Sequence, residues 1–246
     1  PHLGAALKGM GYHNTRVTSL SVELDDAKWQ QYRSFFGTDS WLRYGDLNYG
    51  GAHYGWGPAP PDQFVLSAAN EALQSEGENP LFFFMITQNS HYPWQEVPPL
   101  VEEWRTLNDG SQINPQSNLQ TPDVTVKLDD YMNGIAYELK ILTRFILEEV
   151  DPDAVVILAG DHQPGYITRR EDGYQTPLHI ISRDKKLLDS LLPYGFETGL
   201  SLDQPQTRMK HEGFYSLFMR ALIDRYGRGD RLTPPYLPDG IELDNK

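Results

Sequence analysis

The sequence predicts an α/β fold, a sandwich with a mostly parallel central sheet flanked by helices. Three observations carry that prediction. Short continuous apolar runs at residues 81–87 (LFFFMIT) and 154–159 (AVVILA) have the length and continuity of strands covered on both faces. Segments with apolar residues at helical spacing alternate with those runs, which is the pattern of layered α/β domains. No fixed-period repeat and no low-complexity linker divides the 246 residues, a length sufficient for a substantial core.

The elements follow in order. Residues 3–10 read as a short helix closed by Gly11, and residues 15–20 as a strand. Residues 36–64 are rich in Gly, Tyr and Trp, which suits a loop that packs on itself or an aromatic ligand platform. Behind Pro60-Pro61, residues 62–75 have helical spacing and lead into the strand at 81–87. Residues 97–122, with Trp104 and many Asn, Gln and Pro, read as a long polar connection or as a lid. The longest periodic segment is 126–150, where Leu128, Tyr131, Met132, Ile135, Leu139, Leu142, Phe145 and Ile146 form one apolar stripe assigned to the core. Residues 177–182 read as a strand, 184–192 as a helix and 212–226 as the last long helix. From Gly227 onward the composition turns to Pro, Gly and charge, so 227–246 reads as a surface tail.

Two strand ends carry chemistry. The 154–159 run stops at Gly160-Asp161-His162, and in open α/β sheets the carboxyl ends of strands are where ligands sit. A hard carboxylate oxygen beside an imidazole suits a divalent ion such as Mn, Zn, Mg or Ca, and Gly160 is expected to let the backbone turn so that both side chains converge. The other reading of the pair is a capping aspartate followed by an ordinary loop histidine. The 81–87 run empties into Gln88-Asn89-Ser90-His91-Tyr92-Pro93-Trp94, so both strands send a histidine toward what could be one rim. Pro93 stiffens the chain just past His91. An imidazole held there either donates to an anionic oxygen or serves as a hydrogen-bonded turn residue. His91 is the candidate catalytic residue, and His91 with Trp94 the candidate substrate-binding pair. His211 opens a helix and reads as a capping or exposed residue sooner than one facing a metal; His179 reads as a sheet residue, and His2, His13 and His53 as locally bonded.

The runs FFFMITQNSHYPW, AVVILAGDHQP and YQTPLHIIS, with the amphipathic segment between the first two, resemble the second half of the sulfatase and alkaline-phosphatase superfamily. The nearest branch in character is that of lipoteichoic-acid-synthase-like phosphoglycerol transferases and membrane-anchored sulfatase-like hydrolases. The opening LGAALKGMGYHNTRVTS is similar to the unit that follows the nucleophile segment in those enzymes. The resemblance implies an alkaline-phosphatase-like sandwich with its N-terminal portion missing, so that residues 1–246 are the C-terminal portion of one sulfatase-like catalytic domain. It implies that Asp161 and His162 ligate the catalytic divalent metal and that His91, in its Ser-His-x-Pro turn, binds the substrate's phosphate. The acidic metal ligand and the Thr, Ser or formylglycine-forming Cys nucleophile of these enzymes lie upstream of the matched unit; the chain has no Cys, and no Ser or Thr before Gly11. The segment DDAKWQQYRSFFG stands where the family supplies a Trp-Asn-Arg type pattern for a glycerophosphate head, and Lys28, Trp29 and Arg33 do not reproduce it.

Composition bounds the partners. A formal net charge of −13 disfavours nucleic acid and anionic membrane as general ligands. An acidic protein that handles anionic esters needs local positive charge, which a bound metal supplies. With 39% hydrophobic and 12% aromatic residues the chain is globular in composition. No membrane-length apolar run occurs in it. The expected function is part of a metal-dependent hydrolase or transferase of sulfate or phosphate esters, lipid or glycan linked, in a membrane-anchored parent at the extracytoplasmic face of a bacterial membrane or in the periplasm. The alternative is a non-catalytic module of the same fold that binds a glycan, lipid head group or protein partner.

Overall fold

The computed structural model describes residues 2–21, 24–55, 57, 59–74, 80–94, 96–110, 128–201, 206–228 and 233–241. They form two compact units, one of residues 1–150 with 164–169 and the other of 151–163 with 170–246.

The first unit is built on a three-stranded parallel sheet. Helix α1 (Leu3–Lys8) leads through Gly11, held at φ +94°, into β1 (His13–Thr18). Strand β1 is central, with β2 (Ser40–Arg43) on one side and β3 (Leu81–Met85) on the other. Helix α2 (Asp26–Phe36) connects β1 to β2, starting at the Asp25 cap and stopping at Gly37 in the left-handed region. Neither α2 nor β2 is anticipated above. The aromatic run 36–64 was expected to be irregular, yet β2 forms inside it because Ser40 to Arg43 find β1 as a template, Thr15 opposite Ser40 and Thr18 opposite Arg43.

Helix α3 (Asp62–Gln74) is buried over most of its length. One side packs Phe64, Val65 and Ala69 with Val17, Leu47 and Tyr49. The other side brings Leu66 to Tyr137 and Ile141 of helix α4 (Leu128–Glu148). The apolar stripe read from the sequence of α4 is borne out at Leu142 and Phe145, which pack on this core, and corrected elsewhere. Its buried face is Gly134, Tyr137, Glu138 and Ile141, while Leu128, Met132 and Leu139 are exposed. A stripe counted on hydrophobic residues alone passes over a glycine that allows close approach and a glutamate that has a buried partner. Residues 97–110 are not a loose polar connection either. Gln63 and the backbone of Val101 bond reciprocally at 2.7 and 3.2 Å, Arg144 donates to the carbonyls of Val101 and Glu102, and Leu107 is core. Residues 111–122 of the expected lid lie outside the described residues. So do Trp56 and Pro58 of the aromatic run, whose Tyr49 instead packs inward on Phe64.

In the second unit β4 (Val156–Ala159) pairs antiparallel with β5 (Leu178–Ile181), Leu158 opposite His179. The sequence suggested a buried parallel strand, but β4 is half-buried and its partner runs the other way. An apolar run reports coverage and carries no information on strand direction. Helix α5 (Lys185–Asp189), capped by the Asp184 side chain, and α6 (His211–Tyr226) enclose a core of Leu187, Leu191, Leu217 and Ala221. Residues 233–241 run along α6: Leu237 N–H donates to Ser216 Oγ at 2.9 Å, Lys210 N–H to the Pro238 carbonyl at 2.9 Å, and Arg220 to the Pro234 carbonyl. Over that length the expected surface tail is tied down.

Candidate metal pair and anion-binding turn

Asp161 and His162 follow directly on β4. The Gly160 N–H donates to the Pro177 carbonyl at 2.9 Å and extends the β4–β5 pairing by one residue. The reason for glycine here differs from the one expected. Gly160 is not in the left-handed region; instead a Cβ would lie 3.0 Å from Thr176 Cβ and 3.1 Å from Pro177 Cδ. Gln163 reaches across to the Gln175 carbonyl, so the strand end and residues 175–177 are tied on both sides of the Asp-His pair.

The two side chains are exposed and adjacent. Asp161 Oδ1 accepts from the His162 backbone N–H at 2.9 Å, and Asp161 Oδ2 stands 3.4 Å from His162 Nε2. His162 Nδ1 lies 2.8 Å from the Gln163 carbonyl, which can only accept, so Nδ1 carries the proton and Nε2 is the lone-pair nitrogen of the neutral ring. A lone pair and a carboxylate oxygen facing each other can share a cation, a proton or a metal ion. The 3.4 Å spacing matches two ligands of one tetrahedral ion, each about 2.1 Å from it. The backbone carbonyl that fixes the tautomer is the outer partner usual for metal-bound histidines. These residues thus fit a divalent ion as two of its ligands. Among the described residues no group of three or more His, Asp and Glu stands together. His211 opens α6, exposed, with its Nε2 3.0 Å from Thr176 Oγ1; the cap position itself is Lys210.

His91 and Trp94 belong to the first unit, in the turn after β3. The His91 N–H donates to the Gln88 carbonyl at 3.1 Å, and its Nδ1 bonds the Tyr92 carbonyl. A ring whose Nδ1–H is committed to a carbonyl presents Nε2 as a donor only as imidazolium. Trp94 Nε1 donates to the Ser90 carbonyl at 3.0 Å, and its ring packs edge-on against Tyr92 and Tyr131 at 5.5 and 5.0 Å. Tyr166, at φ +65°, lies over Tyr92 with centroids 4.5 Å apart. An aromatic surface therefore adjoins His91.

Beneath the turn lie two acids that the sequence reading missed. Asp62 is fully buried and Glu138 is 5% exposed. Asp62 Oδ2 accepts the backbone N–H groups of Gln88 at 2.6 Å and Asn89 at 2.7 Å, while the Asp62 N–H donates to Asn89 Oδ1 at 2.7 Å. Burial pushes the Asp62 carboxyl up to about 6 against the opposing bonds from Glu138 and the two N–H groups. Burial, followed by the charge of Asp62, drives Glu138 well above the usual carboxyl range. Burial favours the protonated form of Glu138 beside the Asp62 carboxyl, whose Oδ1, like both Glu138 oxygens, is buried without a hydrogen-bond partner in the structure. The sequence signal was present in the position of Glu138, three residues from Ile135 and Ile141 on the buried side of a helix.

The remaining sequence candidates have local duties. Arg33 donates to the Asp39 carbonyl at 2.7 Å and closes the end of α2; Trp29 lies under the Arg43 guanidinium. His2 caps α1, His13 bonds Ser40 Oγ, His53 bonds the Tyr44 hydroxyl, and His179 is a ladder residue of β5.

The family model for sulfatases matches residues 1–218. Among solved structures, the lipoteichoic acid synthase LtaP from Listeria monocytogenes is 18% identical with a TM-score of 0.49, covering 74% of this chain and 46% of that one. A protein in the alkaline phosphatase superfamily from Vibrio parahaemolyticus is 18% identical with a TM-score of 0.47, covering 73% of this chain and 40% of that one. The chain spans less than half the length of either. No curated protein matches it.

Proposed function

The chain belongs to the sulfatase family, and from that premise we propose that it is part of a metal-dependent hydrolase or phosphoglycerol-type transferase acting on sulfate or phosphate esters. Asp161 and His162 would hold the divalent ion, the facing atoms being Oδ2 and Nε2. The observation that carries this role is the His162 tautomer, fixed by the Gln163 carbonyl so that a lone pair faces the Asp161 carboxylate. Bound there, the ion supplies Lewis-acid charge stabilisation and lowers the pKa of a hydroxyl nucleophile, which the resemblance places upstream of these residues.

His91 binds a non-bridging oxygen of the ester. Its Nδ1 is engaged by the Tyr92 carbonyl, so the contact to the anion runs through Nε2. Trp94, its indole N–H held by Ser90, offers an aromatic wall to the group esterified. The parent protein is assigned, on the sequence resemblance, to the extracytoplasmic face of a bacterial membrane or the periplasm; no helix among the described residues is long and apolar enough to cross a membrane.

The test is an assay of p-nitrophenyl sulfate, p-nitrophenyl phosphate and a phosphoglycerol lipid with Mn, Mg, Zn or Ca. The 246-residue chain is expected to be inactive and the intact gene product active. His91→Ala is expected to cost on the order of 10²–10³ in rate, the loss typical of an oxyanion donor. An intact product that binds lipid or glycan but turns over none of these esters would mark a non-catalytic module instead.

A further inference from the structure

We propose that Asp62 and Glu138 are positioning residues that hold the 88–91 turn and through it aim the His91 ring. The inference rests on the reading of His91 as the anion-binding donor. Asp62 holds both Gln88 and Asn89 by their N–H groups through a single oxygen, and its own N–H returns a bond to the Asn89 side chain. Asn89 Nδ2 in turn donates to the Pro60 carbonyl, so the start of α3 and the turn are cross-braced in both directions. The His91 N–H closes on the carbonyl of the same Gln88 that Asp62 grips. From the other side α4 comes in over Gly134, where a Cβ would sit 3.5 Å from Ser90 Cα, and delivers Glu138 to Asp62.

A turn that needs only two satisfied N–H groups can obtain them from a carbonyl or an amide. A second buried carboxyl adds the desolvation cost of an ionisable group; when protonated it can donate to the otherwise unpartnered Asp62 Oδ1, which would leave Oδ2 to the turn. Tyr137 is the other titratable group beside the pair, and burial followed by the two acids holds its phenol well above the ordinary range, so it brings no charge to them.

The experiment uses the 246-residue chain labelled with ¹⁵N and ring-¹³C histidine, with the His91 resonance assigned from His91→Gln. Asp62→Asn is expected to speed amide exchange at Gln88 and Asn89 by about tenfold or more, the loss of a charge-assisted bond, and to move the His91 ring resonance. Glu138→Gln keeps a donor toward Asp62 and is expected to leave both readouts near wild type, whereas Glu138→Ala moves both. A His91 resonance that stays in place while the amides loosen would reduce the pair to a structural brace and overturn the proposal, as would equal effects of Glu138→Gln and Glu138→Ala. Should Asp62→Asn fail to fold, the Glu138 comparison decides alone. Titration with inorganic phosphate separates the premise: if phosphate leaves the His91 ring unmoved while Asp62→Asn moves it, positioning stands and the anion-binding reading falls.

Discussion

At the scale of single residues the chemistry is set by which atoms are already committed. His162 has its Nδ1 tied to a carbonyl, so Nε2 is directed to Asp161; His91 has the same commitment, so its Nε2 must be protonated before it can donate. The buried pair leads to a stability prediction. Both carboxyls are raised above their unfolded values, so their contribution is fully present below about pH 4 and is lost as pH rises through about 6 for Asp62, with Glu138 extending the loss upward. Urea unfolding of wild type and Asp62→Asn from about pH 4 to about pH 7, across the value of about 6 at Asp62, should show wild type losing ground to the variant as pH rises. A difference between them that does not change with pH would contradict the shared-proton arrangement. Asp161, His162 and His91 stand out in the sequence as candidates because they come at or shortly after the ends of apolar runs, whereas Asp62 and Glu138 are joined only by the fold, 76 positions apart in the chain as 138 minus 62.

Among the elements, those announced by an unbroken apolar run or a capping signal were legible. Residues 81–87 became β3, 177–182 became β5, 212–226 became α6, and Asp184 caps α5 through Lys186 and Leu187 N–H. Elements that exist by virtue of a partner were not. Strand β2 is Ser-Trp-Leu-Arg and is a strand because β1 lies beside it; α2 buries no residue fully, so it lacks the strong apolar stripe by which helices are recognised. The α6 packing leads to a second prediction. A Cβ on Gly213 would meet the Pro238 carbonyl oxygen at 2.2 Å, a backbone atom that cannot rotate aside. Gly213→Ala should displace residues 233–241 and destabilise the second unit by about 1–3 kcal/mol, read as a lower urea midpoint and faster proteolysis near Pro238. Gly160→Ala meets Thr176 Cβ at 3.0 Å and should be milder, because a few tenths of an ångström of adjustment suffice. Equal midpoints for wild type and Gly213→Ala would mean that the strap does not contribute to the unit's stability.

For the whole molecule, a net charge of −13 sets the problem that the site has to solve. An anionic ester approaches an acidic protein productively only where positive charge is concentrated, and on the function proposed here a metal ion held by Asp161 and His162 would supply it. Two protein ligands bind an ion weakly, so this chain is expected to take up metal with low affinity and at that one place. The most direct measurement is paramagnetic broadening of the ¹⁵N-labelled chain by substoichiometric Mn²⁺. The account predicts selective broadening of the amides of Gly160, Asp161, His162 and Gln163, and its disappearance in both Asp161→Asn and His162→Gln. Broadening confined to other acidic surfaces, or unchanged at residues 160–163 in the two variants, would contradict the assignment of Asp161 and His162 as the metal ligands.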